Sequence, residues 1–89
     1  METVVRKEPS VEGEDLIKVI AVYGEDKVPD VEAVFRVAFD SYGPLSDRDA
    51  LILVAVSVTR RDTREPILVP PEELKKIHQA AVDFAAEQW

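Results

Sequence analysis

Apolar and polar positions along this chain fall into five stretches, and their spacing predicts most of a fold. Residues 15–23, DLIKVIAVY, are apolar on both alternating sets: Leu16, Ile20 and Val22 on one, Ile17, Val19, Ala21 and Tyr23 on the other. The β-branched content and short length predict a buried strand, with a short helix as the other reading. Next, Val31, Val34, Phe35, Ala38, Phe39 and Tyr42 recur at i, i+3, i+4, i+7, i+8 and i+11. That spacing predicts a helix with an aromatic stripe, opened by Pro29-Asp30 and stopped by Gly43-Pro44.

Residues 46–60, SDRDALILVAVSVTR, carry two opposed signals. Ser46 and Asp49 have capping-box spacing, and Arg60-Arg61 would suit a helix C-terminus. Val54, Val56 and Val58 alternate with Ala55, Ser57 and Thr59, the period of a half-buried strand. The alternation is preferred, giving a strand over 51–59. RRDTRE then reads as a hairpin turn and PILVP as a short return strand, which Pro66 and Pro70 confine to an edge. Finally PPEELKKIHQAAVDFAAEQW is a helix. Pro71 stands at its start, Glu72 and Glu73 in the first turn, and Leu74, Ile77, Ala81, Phe84 and Ala85 on its apolar face.

The expected order is β-α-β-β-α, an α+β fold with a small three-stranded sheet and two helices on one face. Were residues 15–23 and 46–60 helical, the alternative is an all-α four-helix bundle. Residues 1–13 read as a flexible polar leader, extended at most over Thr3–Val5, and 14–89 as one globular domain.

Composition narrows the chemistry. Among 89 residues, 46% are hydrophobic and 33% charged, which fits a folded domain rather than a disordered one. Cysteine is absent, so disulfides and thiolate metal sites are excluded. The longest apolar run, ALILVAV, is too short to span a bilayer as a helix, and METVVRKEPSVEGED lacks the apolar centre of a signal peptide. The expected location is cytoplasmic, with no membrane partner.

A net charge of −7 disfavours phosphate backbones as partners and suits a basic one. Seven carboxylates against two lysines between Glu12 and Glu32 concentrate the acid. That stretch is a solvated face, or the surface of an inhibitor that occupies a basic cleft. The acids of DKVPDVE and SDRD do not match a calcium loop, and Gly13, Gly24 and Gly43 are isolated rather than arranged as a phosphate cradle. No cofactor and no metal is expected.

Three readings of function follow. The first is a small acidic protein-interaction module, homodimeric, because two helices on one face leave the second face of an apolar strand uncovered. Its expected contacts are Ile17, Val19, Val54, Val56 and Trp89. The second is a nucleic-acid or anion binder using Arg60, Arg61 and Arg64; alternation would send Arg60 and Arg61 to opposite faces, and Asp62 and Glu65 dilute their charge. The third is a small enzyme or enzyme subunit with a site across a dimer interface, in which the single histidine, His78, is the candidate proton carrier. No serine is brought near His78 by the pattern, so no catalytic residue is assigned.

Overall fold

The computed structural model describes residues 1–8, 13–39 and 51–88, with backbone alone at Phe39 and Leu51. Four strands form one antiparallel sheet in the order β1-β2-β3-β4: β1 (Glu2–Glu8), β2 (Leu16–Val22), β3 (Val31–Phe39) and β4 (Leu51–Arg60). One helix, α1 (Pro71–Gln88), follows. Each strand pairs with its neighbour in sequence, so the sheet is a plain meander.

This architecture corrects the expected β-α-β-β-α order and rules out the four-helix bundle: the described residues form four strands and one helix, still in the α+β class. The helix expected from Val31 onward is strand β3. Its burial alternates, with Val31, Ala33, Phe35 and Val37 all at or below 9% exposure and Arg36 exposed between the last two. The helical spacing is also there in the sequence, but the period of two governs because β2, buried inside the sheet, needs its backbone groups paired with a strand on each side. Residues 2–8, inside the segment read as a leader, supply the second of those partners as β1. Ser41, Tyr42, Ser46, Asp47, Asp49 and Trp89 lie outside the described residues.

The return strand expected from PILVP is reduced to a single bridge between Thr59 and Pro66, with the Ile67 amide donating to the Val58 carbonyl at 3.2 Å. Pro66 and Pro70 have no N–H to extend such a ladder. Strands β2 and β4 and helix α1 occupy the stretches in which the sequence pattern places them.

The core lies between α1 and one face of the sheet. Ile17, Val19 and Ala21 of β2, Ala33 and Phe35 of β3, and Ile77, Ala81 and Ala85 of α1 are essentially inaccessible. The spacing Ile77, Ala81, Ala85 is a run of i, i+4 positions, so two small residues let the helix backbone approach the sheet closely. Among the described residues, the other face carries no helix. There, charges are interleaved with apolar residues: Lys18 lies 3.4 Å from Glu8 and 3.8 Å from Glu32, and Arg6 3.0 Å from Glu8. Ile20, at 6% exposure, is shielded on this face between its register partners Val4 and Glu32.

A bulge in β4 sets the orientation of its side chains. Val34 pairs with Ser57 but Phe35 pairs with Ala55, so Val56 has no opposite residue. The extra residue reverses the alternation. Val58, opposite Ala33, packs against the core, whereas Val54, opposite Arg36, lies on the helix-free face.

Candidate functional site

Two surfaces are built well enough to act. The first is the outer edge of β4. The strand ends the sheet, and among the described residues only its last positions are covered, by the 60–65 turn and the Pro66-Ile67 segment. Along Leu51–Ser57 no other strand pairs on the outer side among the described residues. Ile52, Val54 and Val56 are 45%, 41% and 59% exposed. No charged residue and no proline occurs from 51 to 59. The opposite edge, β1, carries Glu2, Arg6, Lys7 and Glu8 among its seven residues. Charges blunt an edge against pairing; β4 has no such protection.

The second surface is a cleft of about 480 Å³ at one end of the molecule, between the start of α1, the extended 67–70 segment and the β2–β3 connection. Met1, Tyr23, Val28, Ile67 and Val69 are among its apolar lining residues, and Glu25, Glu73 and Lys76 its charged ones. Leu68, 98% exposed, stands at the rim. Glu73 comes from the first turn of α1. Its Oε1 is 4.0 Å from the Lys76 Nζ, while its Oε2 is buried and has no hydrogen-bond partner. Burial, and then the Glu73 charge, hold the Tyr23 hydroxyl above its ordinary pKa, so it remains a neutral phenol. This cleft was not legible in the sequence, because its walls come from Met1, from residues 23–31 and from residues 67–76, which lie far apart along the chain.

The residues singled out from sequence are dispersed. Ile17 and Val19 are fully buried beneath α1 and are not on any surface. Val54 and Val56 are exposed on β4. Arg60, Arg61 and Arg64 do not converge on a common partner. Arg60 donates from Nε and Nη2 to the two carboxylate oxygens of Asp62, at 3.1 and 3.0 Å. Arg61 Nη1 is 3.9 Å from Asp30 Oδ2. Arg64 is exposed, at a positive φ of 61° that closes the turn, its amide donating to the Arg60 carbonyl at 2.9 Å. Thr63 and Glu65 amides donate to Asp62 Oδ1 and Thr63 Oγ1, so the local acids and hydroxyls serve the turn itself.

His78 is exposed on α1, its ring edge-to-face with Phe35 at 5.6 Å between centroids. That contact uses the imidazole as an aromatic cover for the core. Among the described residues no three His, Asp or Glu side chains are grouped to hold a metal ion, and no helix is long and apolar enough to cross a membrane. Compared with protein-family profiles, with characterised proteins and with solved structures, the chain matches none.

Proposed function

We propose that the protein is a small interaction module that pairs with a second copy of itself through the outer edge of β4. The observation that carries this is the stretch Leu51–Ser57, unpaired on its outer side among the described residues, with Ile52, Val54 and Val56 exposed and no charge or proline to protect it. Seven residues at about 3.4 Å each make an edge roughly 24 Å long, more than a typical strand offers.

A second copy fits this edge better than an unrelated strand. Antiparallel pairing of β4 with its own copy about a two-fold axis presents the same unprotected edge on both sides and consumes both at once. The result is a closed eight-stranded sheet whose outer edges are the two charged β1 strands. Pairing β4 onto β1 of a neighbour would instead propagate without closing, and β1 carries four charges against it. The alternative of anion binding at Arg60–Arg64 is weaker, since Arg60 is already held by a bidentate carboxylate. No placement of His78 favours the enzymatic alternative.

Light scattering behind a sizing column tests the proposal. The expected mass is about twice the 10.0 kDa chain for the unaltered protein. Val54→Lys and Val56→Lys should each return it to the single-chain mass with an unchanged circular-dichroism spectrum. A single-chain mass for the unaltered protein at the highest attainable concentration would refute it, as would lysine variants that remain dimeric.

A further inference from the structure

We infer that the two copies meet with Leu53 on the two-fold axis, so that Leu53 pairs with its own copy and Leu51 of each chain pairs with Ala55 of the other. This register rests on the self-pairing proposed above, and the backbone of β4 decides it. The Val37 amide donates to the Asp15 carbonyl at 2.9 Å, so the odd-numbered residues of β3 turn their N–H and C=O groups toward β2. The even-numbered ones face β4, and their register partners Ile52, Val54, Ser57 and Thr59 face β3 in return. Facing outward are Leu51, Leu53 and Ala55 before the bulge, and Val58 and Arg60 after it. The contacts of the last two agree: the Val58 carbonyl accepts from the Ile67 amide, and the Arg60 amide donates to the Glu65 carbonyl.

The bulge therefore divides the edge. Beyond it the outward groups are already used by the chain itself. Before it, Leu51, Leu53 and Ala55 have no strand on their outer side among the described residues. Antiparallel strands bond only where outward residues stand opposite outward residues. A register centred on Leu53 matches all three at once. One centred on Val54 sets Leu51 against Ser57, whose groups are turned to β3, and one centred on Ile52 carries Ala55 past Leu51, the first residue of β4. The Leu53 register also brings Ile52 opposite Val54 of the second copy, in the closely spaced kind of pair. Both lie on the helix-free face, at 45% and 41% exposure in the single chain, so pairing covers two apolar side chains of each copy. The axis runs perpendicular to the sheet, which puts both helices on one face.

Because the chain has no cysteine, single substitutions report the register directly. Only the residue on the axis stands opposite itself, at about 5.5 Å between Cα atoms, within the span of a disulfide. Its neighbours meet their own copies on the diagonal, at about 7–8 Å, which is too far. Ile52→Cys, Leu53→Cys and Val54→Cys are each oxidised with glutathione disulfide and run on a non-reducing gel, with the light-scattering mass of each taken in reductant. Leu53→Cys should become a linked dimer, and Ile52→Cys and Val54→Cys should each stay unlinked. A mixture of Ile52→Cys and Val54→Cys should link, because those positions face each other at about 4.5 Å. The inference is overturned if Ile52→Cys or Val54→Cys links to itself, which moves the axis, or if the variants are dimeric by mass and neither Leu53→Cys nor the mixture links. A single-chain mass overturns the self-pairing as well, so the two failures are told apart. Should Leu53→Cys disturb the fold, the mixture and its two separate components decide the register alone.

Discussion

Replacing Ile77 with alanine tests whether α1 is docked on the sheet as described. Ile77 is completely buried and is, with Phe35, Ile17 and Val19, among the largest fully inaccessible side chains. Truncation removes three carbons from the core, roughly 2.4 kcal/mol at about 0.8 kcal/mol each. Partial relaxation around a cavity of about 40 Å³ adds roughly 1 kcal/mol, at about 24 cal/mol per Å³. The expected loss is therefore about 3 kcal/mol, a third or more of the total stability of a domain this size, about 5–10 kcal/mol. Urea unfolding followed by helical circular dichroism measures it. Protein concentration must be held fixed, because association would add to the apparent stability. Lys75→Ala, two positions away and exposed, serves as the control and should change stability by no more than about 0.5 kcal/mol. A loss below about 1 kcal/mol for Ile77→Ala would refute the docking, since a fully packed isoleucine cannot be truncated so cheaply.

Two further outcomes follow from the 60–65 turn, alongside those already stated for β4. Arg64 holds a φ of 61°, a left-handed conformation that costs a side-chain-bearing residue about 1–2 kcal/mol and glycine very little. Arg64→Gly should therefore raise stability by about 0.5–1 kcal/mol in the same urea assay, after the extra freedom of glycine in the unfolded chain is subtracted; destabilisation would contradict the turn geometry. Asp62 is held below its ordinary pKa, chiefly by the hydrogen bond from Arg60. A depressed carboxylate pKa stabilises the fold above the unfolded pKa and loses that contribution as pH falls through the folded one, so the effect is confined to acid and absent near neutrality. Carbon-detected titration of the Asp62 carboxyl should show the low midpoint, and Arg60→Gln should move it upward; an ordinary midpoint in the unaltered protein would break the pair.

How legible the fold was depended on whether one periodicity stood alone. In α1 the run Ile77, Ala81, Ala85 has no strand-like competitor and could be read directly, whereas β2, apolar on both faces, was separated from a short helix only by its length and β-branched content. β3 holds two patterns at once. Val31, Val34, Phe35 and Ala38 fit a helix, while Val31, Ala33, Phe35 and Val37 fit a strand, and the small Ala33 is easily passed over. The β-branched and aromatic content of VEAVFRVAF was the signal for the second pattern. β1 was hidden by its charges, which are there because it is an edge; Thr3–Val5 was the only hint. In β4 the alternation was real, but its phase was not: an extra residue at Val56 puts Val54 and Val58 on opposite faces, and no local sequence rule marks that bulge. For the surfaces, Val54 and Val56 could be picked out as exposed candidates, whereas Ile17 and Val19 look equally apolar in sequence and differ only because α1 covers their side of β2.

The meander also fixes an order of events during synthesis. All four strands leave the ribosome before the helix that covers them, so the sheet can pair by successive hairpins while Ile17, Val19, Ala33 and Phe35 still face water. Without α1 the described strands would be a sheet with one bare apolar face and one unprotected edge. Damage that stalls translation or truncates the chain before Ile77 leaves it in that state, a substrate for holding chaperones and for strand-to-strand aggregation rather than a partly working protein.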